Sequence, residues 1–287
     1  MQSVSMKLLA LLLIILCSSN TVFPQHVIET LPGLPHKLPC RFETGYIGVG
    51  KDDEVQLFYF FFESESNPEE DPLILWLTGG PGCSGLSTIL MEMGTFVIDY
   101  ANCNGGPIAL KLNEYAWTKA ANILFIDQPA GTGYSYANNL ESSLANDTLS
   151  ARLTYDFLRK WLIDHPKYME NPLYIFGESY AGIILPLVVN EVYNGLEAGD
   201  KPTLNMKSAK ANCHGNYKHV DSKNTLCVND LAKINQEDNA FLSHSWANDK
   251  AVQKALNVLE GSGHTNPEFK AKESFVMFER WIRENNL

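Results

Sequence analysis

The segment that most constrains the fold runs from Asn171 to Gly182. It opens with a short apolar run, Leu173–Phe176, which is typical of a buried parallel strand. A Gly-Glu-Ser-Tyr-Ala-Gly turn follows and leads into an apolar stretch of helical length. A serine held between a strand and a helix is the context of a nucleophile elbow, which needs small neighbours, here Gly177, Ala181 and Gly182. The pattern predicts that Ser179 is a nucleophile at a helix N-terminus, where developing negative charge is favoured.

A glycine-rich turn is the second informative feature. The apolar run Pro72–Thr78 leads directly into Gly-Gly-Pro-Gly-Cys-Ser-Gly at residues 79–85. Closely spaced glycines allow backbone N–H groups to converge on a small anion, as an oxyanion hole requires. The alternative is an ordinary tight turn, but the downstream serine favours the catalytic interpretation.

The order of the elements predicts the fold class. Apolar runs predict strands at residues 54–62, 72–78 and 121–127, and apolar residues at helical spacing predict a helix over residues 147–164. Further helices are expected at 245–259 and 273–282, and the Pro- and Gly-rich segment 26–50 is interpreted as an irregular lead-in. Alternating strands and helices predict an α/β protein with a doubly wound, mostly parallel sheet.

His264 is the candidate general base. It lies in a glycine-bracketed loop before the last predicted helix, and in α/β-hydrolases the triad histidine comes late in the chain. The other histidines, His165 among them, lack such a context and are interpreted as surface or structural residues.

Four motifs in this order resemble those of plant serine carboxypeptidases and of the serine carboxypeptidase-like acyltransferases derived from them. They are Trp76–Cys83, Phe125–Ser135, Gly177–Gly182 and Gly263–Glu268. The resemblance is nearly continuous over residues 31–206 and patchy afterwards. It implies an α/β-hydrolase fold and acyl-enzyme chemistry that uses no cofactor and no metal.

The resemblance also assigns the parts of the site. It places the nucleophile on Ser179 and the general base on His264. It assigns the oxyanion hole to the backbone N–H groups of Gly80 and Tyr180. It also assigns three residues to the binding of a peptide's C-terminal carboxylate, which are Glu178, Glu92 and Thr78. Acidic side chains can grip an anion only if burial and mutual repulsion keep a proton on them, which predicts tighter peptide binding at acidic pH.

Two residues point to different branches of the family. Thr78 stands where carboxypeptidases usually carry Asn and resembles the acyltransferase branch, whereas many acyltransferases have Asp at the position of Glu178. The favoured function is removal of C-terminal residues from peptides through a Ser179 acyl-enzyme at acidic pH. The alternative is an acyltransferase that uses acyl-glucose esters, since the two activities differ only in whether water or an alcohol accepts the acyl group.

The segment between nucleophile and histidine departs from the family. Relatives carry a long insertion and further strands there, and their triad aspartate follows one of those strands. This chain has no matching Ser-Gly-Asp turn, and residues 208–245 are interpreted as the remnant of a lid insertion in a truncated α/β-hydrolase domain. Because loss of the triad aspartate lowers kcat by about 10⁴, a catalytically inactive isoform is a third alternative.

The beginning of the chain predicts its compartment. Residues 1–25 combine a lysine with the apolar run Leu8–Cys17, which predicts a secretory signal peptide ahead of one domain at 26–287. Asn146-Asp-Thr is an N-glycosylation acceptor and fits a secreted or vacuolar destination.

Cysteines and charge limit the partners. An odd number of cysteines remains after Cys17, and a local Cys213–Cys227 disulfide is expected rather than a metal site. The net charge of −11 and the absence of a basic run argue against nucleic-acid binding. No later stretch is apolar enough to predict a membrane span. The expected partner is a peptide C-terminus or an acyl-glucose ester.

Overall fold

The computed structural model describes residues 25–103, 108–139, 143, 146–207 and 271–285. The predicted signal peptide, lid remnant and helix at 245–259 lie outside these ranges, apart from residue 25. The strands are β1 (His26–Ile28), β2 (Phe42–Val49), β3 (Val55–Phe62), β4 (Leu73–Leu77), β5 (Phe96–Ile98), β6 (Leu110–Leu112), β7 (Asn122–Ile126), β8 (Tyr136–Ala137) and β9 (Leu173–Gly177). The α-helices are α1 (Gly85–Thr88), which continues as a π-helix (Ile89–Met93), α2 (Asp147–Asp164), α3 (Ala181–Ala198) and α4 (Ala271–Asn285). Short 3₁₀ helices cover Lys51–Asp53, Tyr100–Asn102, Trp117–Lys119 and Pro166–Tyr168.

The main sheet has the order β1–β2–β3–β7–β4–β9, and β8 pairs with β3. Strands β7, β4 and β9 run parallel, whereas β1, β2 and β3 pair in antiparallel fashion and β3 is antiparallel to β7. A separate two-stranded sheet joins β5 and β6. The predicted α/β class is therefore confirmed, with a parallel centre and an antiparallel side in the described sheet.

Strand β4 shows how both faces of the sheet are buried. Its alternate residues Leu73, Leu75 and Leu77 belong to one apolar cluster with α2 and α3. Ile74 and Trp76 point to the opposite cluster, where α4 places the ring of Phe278 against Trp117 at 4.0 Å between centroids. Because both faces are covered, the strand is apolar at every position, as expected for a central parallel strand.

The prediction of an irregular lead-in at residues 26–50 is wrong, since this segment contains β1 and the eight-residue strand β2. Glycines hid the strand pattern. A Cβ atom on Gly45 would lie 2.9 Å from the ring of Tyr59, and one on Gly48 would lie 2.6 Å from the Cβ of Asp53. Within this strand, glycine marks the close approach of neighbouring side chains rather than a turn.

The two long helices, α2 after strand β8 and α3 after strand β9, pack against each other. Helix α2 begins at the N-cap Asn146, whose side chain accepts a hydrogen bond from the backbone N–H of Leu149 at 2.9 Å. Helix α3 ends at Gly199 in the left-handed conformation. Within the described ranges, helices with the length and apolarity needed to cross a bilayer are not found.

Candidate active site

Ser179 occupies the sharp junction between β9 and α3. Its φ angle is 55°, in the left-handed region that non-glycine residues rarely adopt, and its side chain is exposed. A Cβ atom on Gly177 would lie 2.7 Å from the Cβ of Ala181 and 2.7 Å from the carbonyl oxygen of Leu77. The strand, strained turn and helix expected of a nucleophile elbow are thus present, and the small residue at position 177 is required.

The register of the central strands brings three polar residues together. Leu77 of β4 pairs with Ile126 of β7 on one side and with Gly177 of β9 on the other. The residues that follow these three are Thr78, Asp127 and Glu178. They leave the sheet side by side at the carboxyl ends of the parallel strands, which is where open α/β sheets bind ligands.

The glycine-rich turn lies directly against the elbow. Gly80 and Gly82 have φ angles of 113° and 82°, and the backbone N–H of Cys83 donates to the carbonyl oxygen of Gly79 at 3.2 Å. A Cβ atom on Gly79 would lie 2.7 Å from the Cβ of Ser179 and 3.0 Å from the backbone nitrogen of Tyr180. The two turns that carry the predicted oxyanion donors are therefore in contact.

The three residues of the predicted carboxylate grip occupy different elements. Thr78 is buried, with its hydroxyl oxygen 3.2 Å from that of Thr88 in α1. Glu92 is buried in the π-helix that follows α1, and Glu178 is half-buried immediately before Ser179. Their role in gripping a carboxylate stays a prediction.

A cavity of about 230 Å³ lies beside the elbow, between the N-termini of α2 and α3. Its lining includes Thr78, Gly82, Gln128, Asp147 and Tyr180. The hydroxyl of Tyr180 donates to the two carboxylate oxygens of Asp147 at 3.1 and 3.2 Å, and this hydrogen bond raises the pKa of Tyr180. The side chain that follows the nucleophile is thereby tied to the first residue of α2.

Asp127 is the site residue that the sequence reasoning missed. Its fully buried carboxylate accepts hydrogen bonds from the hydroxyl of Ser84 and from the backbone N–H groups of Gly85 and Tyr134, at 2.7, 2.9 and 3.0 Å. Burial raises the pKa of Asp127, and these three donors oppose that rise. Its position directly after a buried strand, inside the Phe125–Ser135 motif, was the available signal.

Several assigned residues lie outside the described ranges. These are His264, Cys213 and Cys227, so neither the nucleophile–base contact nor the disulfide is described. In the described part of the chain, Cys40, Cys83 and Cys103 carry free thiols. Asp200 follows α3 rather than a strand and accepts a hydrogen bond from the hydroxyl of Tyr155 at 2.9 Å. The sequence predicts a triad aspartate directly after a strand, and Asp200 does not have that position.

The predicted glycosylation site coincides with the N-cap of α2, and its two roles can be separated. Asn146 is exposed and lines the cavity beside the elbow. For a chain expressed through the secretory pathway of a eukaryotic host, we expect Asn146→Ala, Asn146→Asp and Thr148→Ala each to remove one glycan mass, because each destroys the predicted acceptor. Only Asn146→Ala also removes the cap, which should lower the free energy of unfolding by about 1 kcal/mol relative to the other two variants.

Intact mass and thermal unfolding in parallel would check this expectation. Asn146→Asp is the matched control, because a carboxylate still accepts the hydrogen bond from Leu149. Equal stability losses in all three variants would mean that the glycan, and not the cap, stabilises this end of α2.

Comparison with known proteins agrees with the geometry. A model of the serine carboxypeptidase family matches residues 32–212. Serine carboxypeptidase-like 15 from Arabidopsis thaliana is 37% identical over 316 residues, covering 90% of this chain and 72% of that protein. Serine carboxypeptidase-like 14 from the same plant is 38% identical over 313 residues, covering 89% of this chain and 72% of that protein.

A solved structure is similar as well. A prohormone-processing carboxypeptidase from Saccharomyces cerevisiae is 27% identical with a TM-score of 0.51, over 63% of this chain and 40% of that one. The chain thus matches less than half of the length of that carboxypeptidase. The region matched by the family model contains both turns and all of the described site residues.

Proposed function

Because this chain belongs to the serine carboxypeptidase family and has its α/β-hydrolase fold, we propose that it is an acyl-transferring serine hydrolase that removes C-terminal residues from peptides. One observation carries the proposal. Ser179 is held at φ 55° at a strand-to-helix turn, and the glycine-rich turn lies so close that a Cβ atom on Gly79 would be 2.7 Å from the Cβ of Ser179. This placement supports the proposal that Ser179 is the nucleophile and that the adjacent turn supplies the oxyanion hole.

The proposed reaction follows from this placement. The Oγ of Ser179 attacks the carbonyl carbon of the last peptide bond while the base, proposed to be His264, takes its proton. The carbonyl oxygen becomes negatively charged and accepts hydrogen bonds from the N–H groups of Gly80 and Tyr180. The C–N bond then breaks, the departing amine takes the proton from the base, and water releases the acyl group from Ser179.

The preference for a C-terminal residue is proposed to come from Glu178, Glu92 and Thr78. Thr78 and Glu178 follow adjacent parallel strands, and Glu92 is buried. Carboxyl groups that keep their protons can donate hydrogen bonds to the substrate's carboxylate. We expect peptide binding to weaken as pH rises from 5 to 8, because carboxyl groups that lose their protons can no longer donate. Tighter binding at acidic pH is consistent with the secretory or vacuolar compartment that we propose.

The acyltransferase alternative rests on Thr78. A threonine hydroxyl at this position, paired with Thr88, differs from the asparagine amide usual in the peptidases. An acyl-glucose ester would then acylate Ser179 by the same step, with glucose leaving in place of an amine, and an alcohol would accept the acyl group. A non-catalytic role is the third candidate, because the sequence between Ser179 and His264 lacks the turn that supplies the triad aspartate.

Covalent labelling tests the proposal. We expect a fluorophosphonate probe to add one adduct to the secreted chain at pH 5 and pH 7, and to add none to Ser179→Ala, as read by intact mass. A labelled chain would then be given blocked dipeptides and acyl-glucose esters, which separate peptidase from acyltransferase. A folded chain that takes no label would refute the enzyme proposal and favour the non-catalytic role.

A further inference from the structure

We propose that Asp127 is a positioning residue whose buried carboxylate fixes the glycine-rich turn against the nucleophile elbow. The inference rests on the proposed function, because the turn is assigned there as half of the oxyanion hole. Asp127 has no role in the acyl-transfer steps above, and its carboxylate is too deeply buried to touch a substrate.

The backbone of Asp127 is itself fixed. The residue follows β7, and its N–H donates to the carbonyl oxygen of Phe58 at 2.9 Å. Its own carbonyl oxygen accepts a hydrogen bond from the hydroxyl of Ser135 at 2.5 Å, and that hydroxyl also accepts from the N–H of Phe58 at 2.7 Å. A side chain that leaves such a backbone has little freedom to move, so groups bonded to it are held in place.

One oxygen of the carboxylate closes the glycine-rich turn. Oδ1 accepts from the Ser84 hydroxyl at 2.7 Å and from the Gly85 N–H at 2.9 Å. Ser84 is the N-cap of α1, and its hydroxyl oxygen also accepts from the N–H of Leu86 at 3.1 Å. The carboxylate therefore fixes the point where the turn ends and the helix begins, a few residues after Gly80.

The other oxygen anchors the neighbouring loop. Oδ2 accepts from the Tyr134 N–H at 3.0 Å, and a Cβ atom on Gly133 would lie 1.9 Å from this oxygen. Gly133 also has a φ angle of 51°. Glycine is therefore needed at position 133 for the loop 128–135 to close over the carboxylate. Asp127 thus connects this loop to the glycine-rich turn at residues 79–85, which lies more than 40 residues earlier in the sequence.

The effect on catalysis follows from oxyanion-hole energetics. Loss of one aligned donor lowers kcat by about 10²–10³. If Asp127 holds the turn, Asp127→Ala should slow fluorophosphonate labelling of Ser179 by about 100-fold and lower kcat with little change in KM. A residue that only stabilises the fold would lower the melting temperature without changing the labelling rate of the folded fraction.

Asp127→Asn is the conservative variant. Its amide oxygen can accept the two bonds from Ser84 and Gly85, whereas its NH₂ group would face the Tyr134 N–H, donor against donor. We expect this variant to recover most of the labelling rate that Asp127→Ala loses. Ser84→Ala, which deletes one partner of the carboxylate, should slow labelling by about tenfold and serves as the test if the alanine variant does not fold.

The experiment combines labelling rates with amide hydrogen exchange across residues 79–86 in the full secreted chain. Slow labelling and faster exchange in Asp127→Ala, with recovery in Asp127→Asn, would support the proposal. A folded Asp127→Ala, or a folded Ser84→Ala in its place, that labels at the native rate would overturn it. If the native chain takes no label, the proposed function fails. Amide hydrogen exchange is then the deciding measurement. Faster exchange across residues 79–86 in Asp127→Ala would support anchoring by Asp127, and unchanged exchange would refute it.

Discussion

Replacing Gly79 with alanine is expected to slow labelling of Ser179 by about 100-fold or more. The new methyl group would lie 2.7 Å from the Cβ of Ser179 and 2.7 Å from the carbonyl oxygen of Glu178, which is closer than real Cβ atoms approach. Since the backbone of both turns is fixed by hydrogen bonds, the turn and the elbow must separate. A shift of about 1 Å between reacting groups is enough for a loss of this size. The measurement is the rate of fluorophosphonate adduct formation in folded protein.

Gly182→Ala is the matched control. Gly182 lies in the first turn of α3, close to Ser179 in the sequence, but a Cβ atom there would meet nothing within 4 Å. Alanine should leave the labelling rate unchanged and stabilise the helix by about 0.5–1 kcal/mol. The sequence argument that Gly182 must be small is therefore not supported, unlike that for Gly177. Equal labelling rates for the two variants would contradict the described contact between Gly79 and the elbow.

The sequence predicted best the elements whose burial leaves a continuous apolar run. Strands expected at 72–78, 121–127 and 173–176 are observed at 73–77, 122–126 and 173–177, and the helix expected over 147–164 has those bounds. A strand covered on both faces can carry few polar residues, so its first and last residues can be recognised from the sequence alone. The turn after β9 was predictable for the same reason, because the strand and the helix around it are both apolar.

The elements and contacts that depend on distant residues were not predictable in this way. Strand β2 was missed because Gly45 makes room for the ring of Tyr59, which lies opposite it on strand β3. The carboxylates of Asp127 and Glu43 are buried against partners that lie far along the sequence, Ser84 and His165 respectively. Short-range patterns carry no information about such pairs. The position of His264 relative to Ser179 is a question of the same kind, and it lies outside the described residues.

Glu43→Gln is expected to lower the free energy of unfolding by about 3 kcal/mol near pH 6. The side chain of Glu43 is fully buried. Its carboxylate lies 2.7 Å from the Nε2 of His165, and it accepts hydrogen bonds from the hydroxyl of Tyr59 at 2.8 Å and from the guanidinium of Arg41 at 2.5 Å. His165 is the one histidine in the described chain that is buried in a polar cluster, and its Nδ1 faces the carbonyl oxygen of Trp161 at 2.8 Å. Glutamine removes the negative charge that pairs with Arg41 and leaves one acceptor oxygen where the carboxylate has two. Its NH₂ group would then face groups that donate to Glu43, so part of this buried cluster would lose its hydrogen bonds.

The loss should depend on pH in a definite direction. Burial alone would raise the pKa of Glu43, but hydrogen bonds from His165, Arg41 and Tyr59 outweigh it and lower the pKa from 4.5 to about 2. A carboxyl with a lowered pKa stabilises the fold fully above its unfolded pKa, and this contribution disappears as pH falls through the folded pKa. The difference between native chain and Glu43→Gln should therefore be largest above pH 5 and shrink between pH 4.5 and 2.

Urea unfolding followed by tryptophan fluorescence at pH 6, 4 and 3 measures this difference. Glu29→Gln is the control, because Glu29 forms an exposed ion pair with Lys37 at 3.7 Å, and pairs of that kind contribute about 0–1 kcal/mol. The same chemical change should thus have a large, pH-dependent effect at position 43 and almost none at position 29. If Glu43→Gln were no less stable than Glu29→Gln at pH 6, the buried cluster would contribute nothing. If its deficit persisted unchanged at pH 3, the cause would be packing rather than the charge of Glu43.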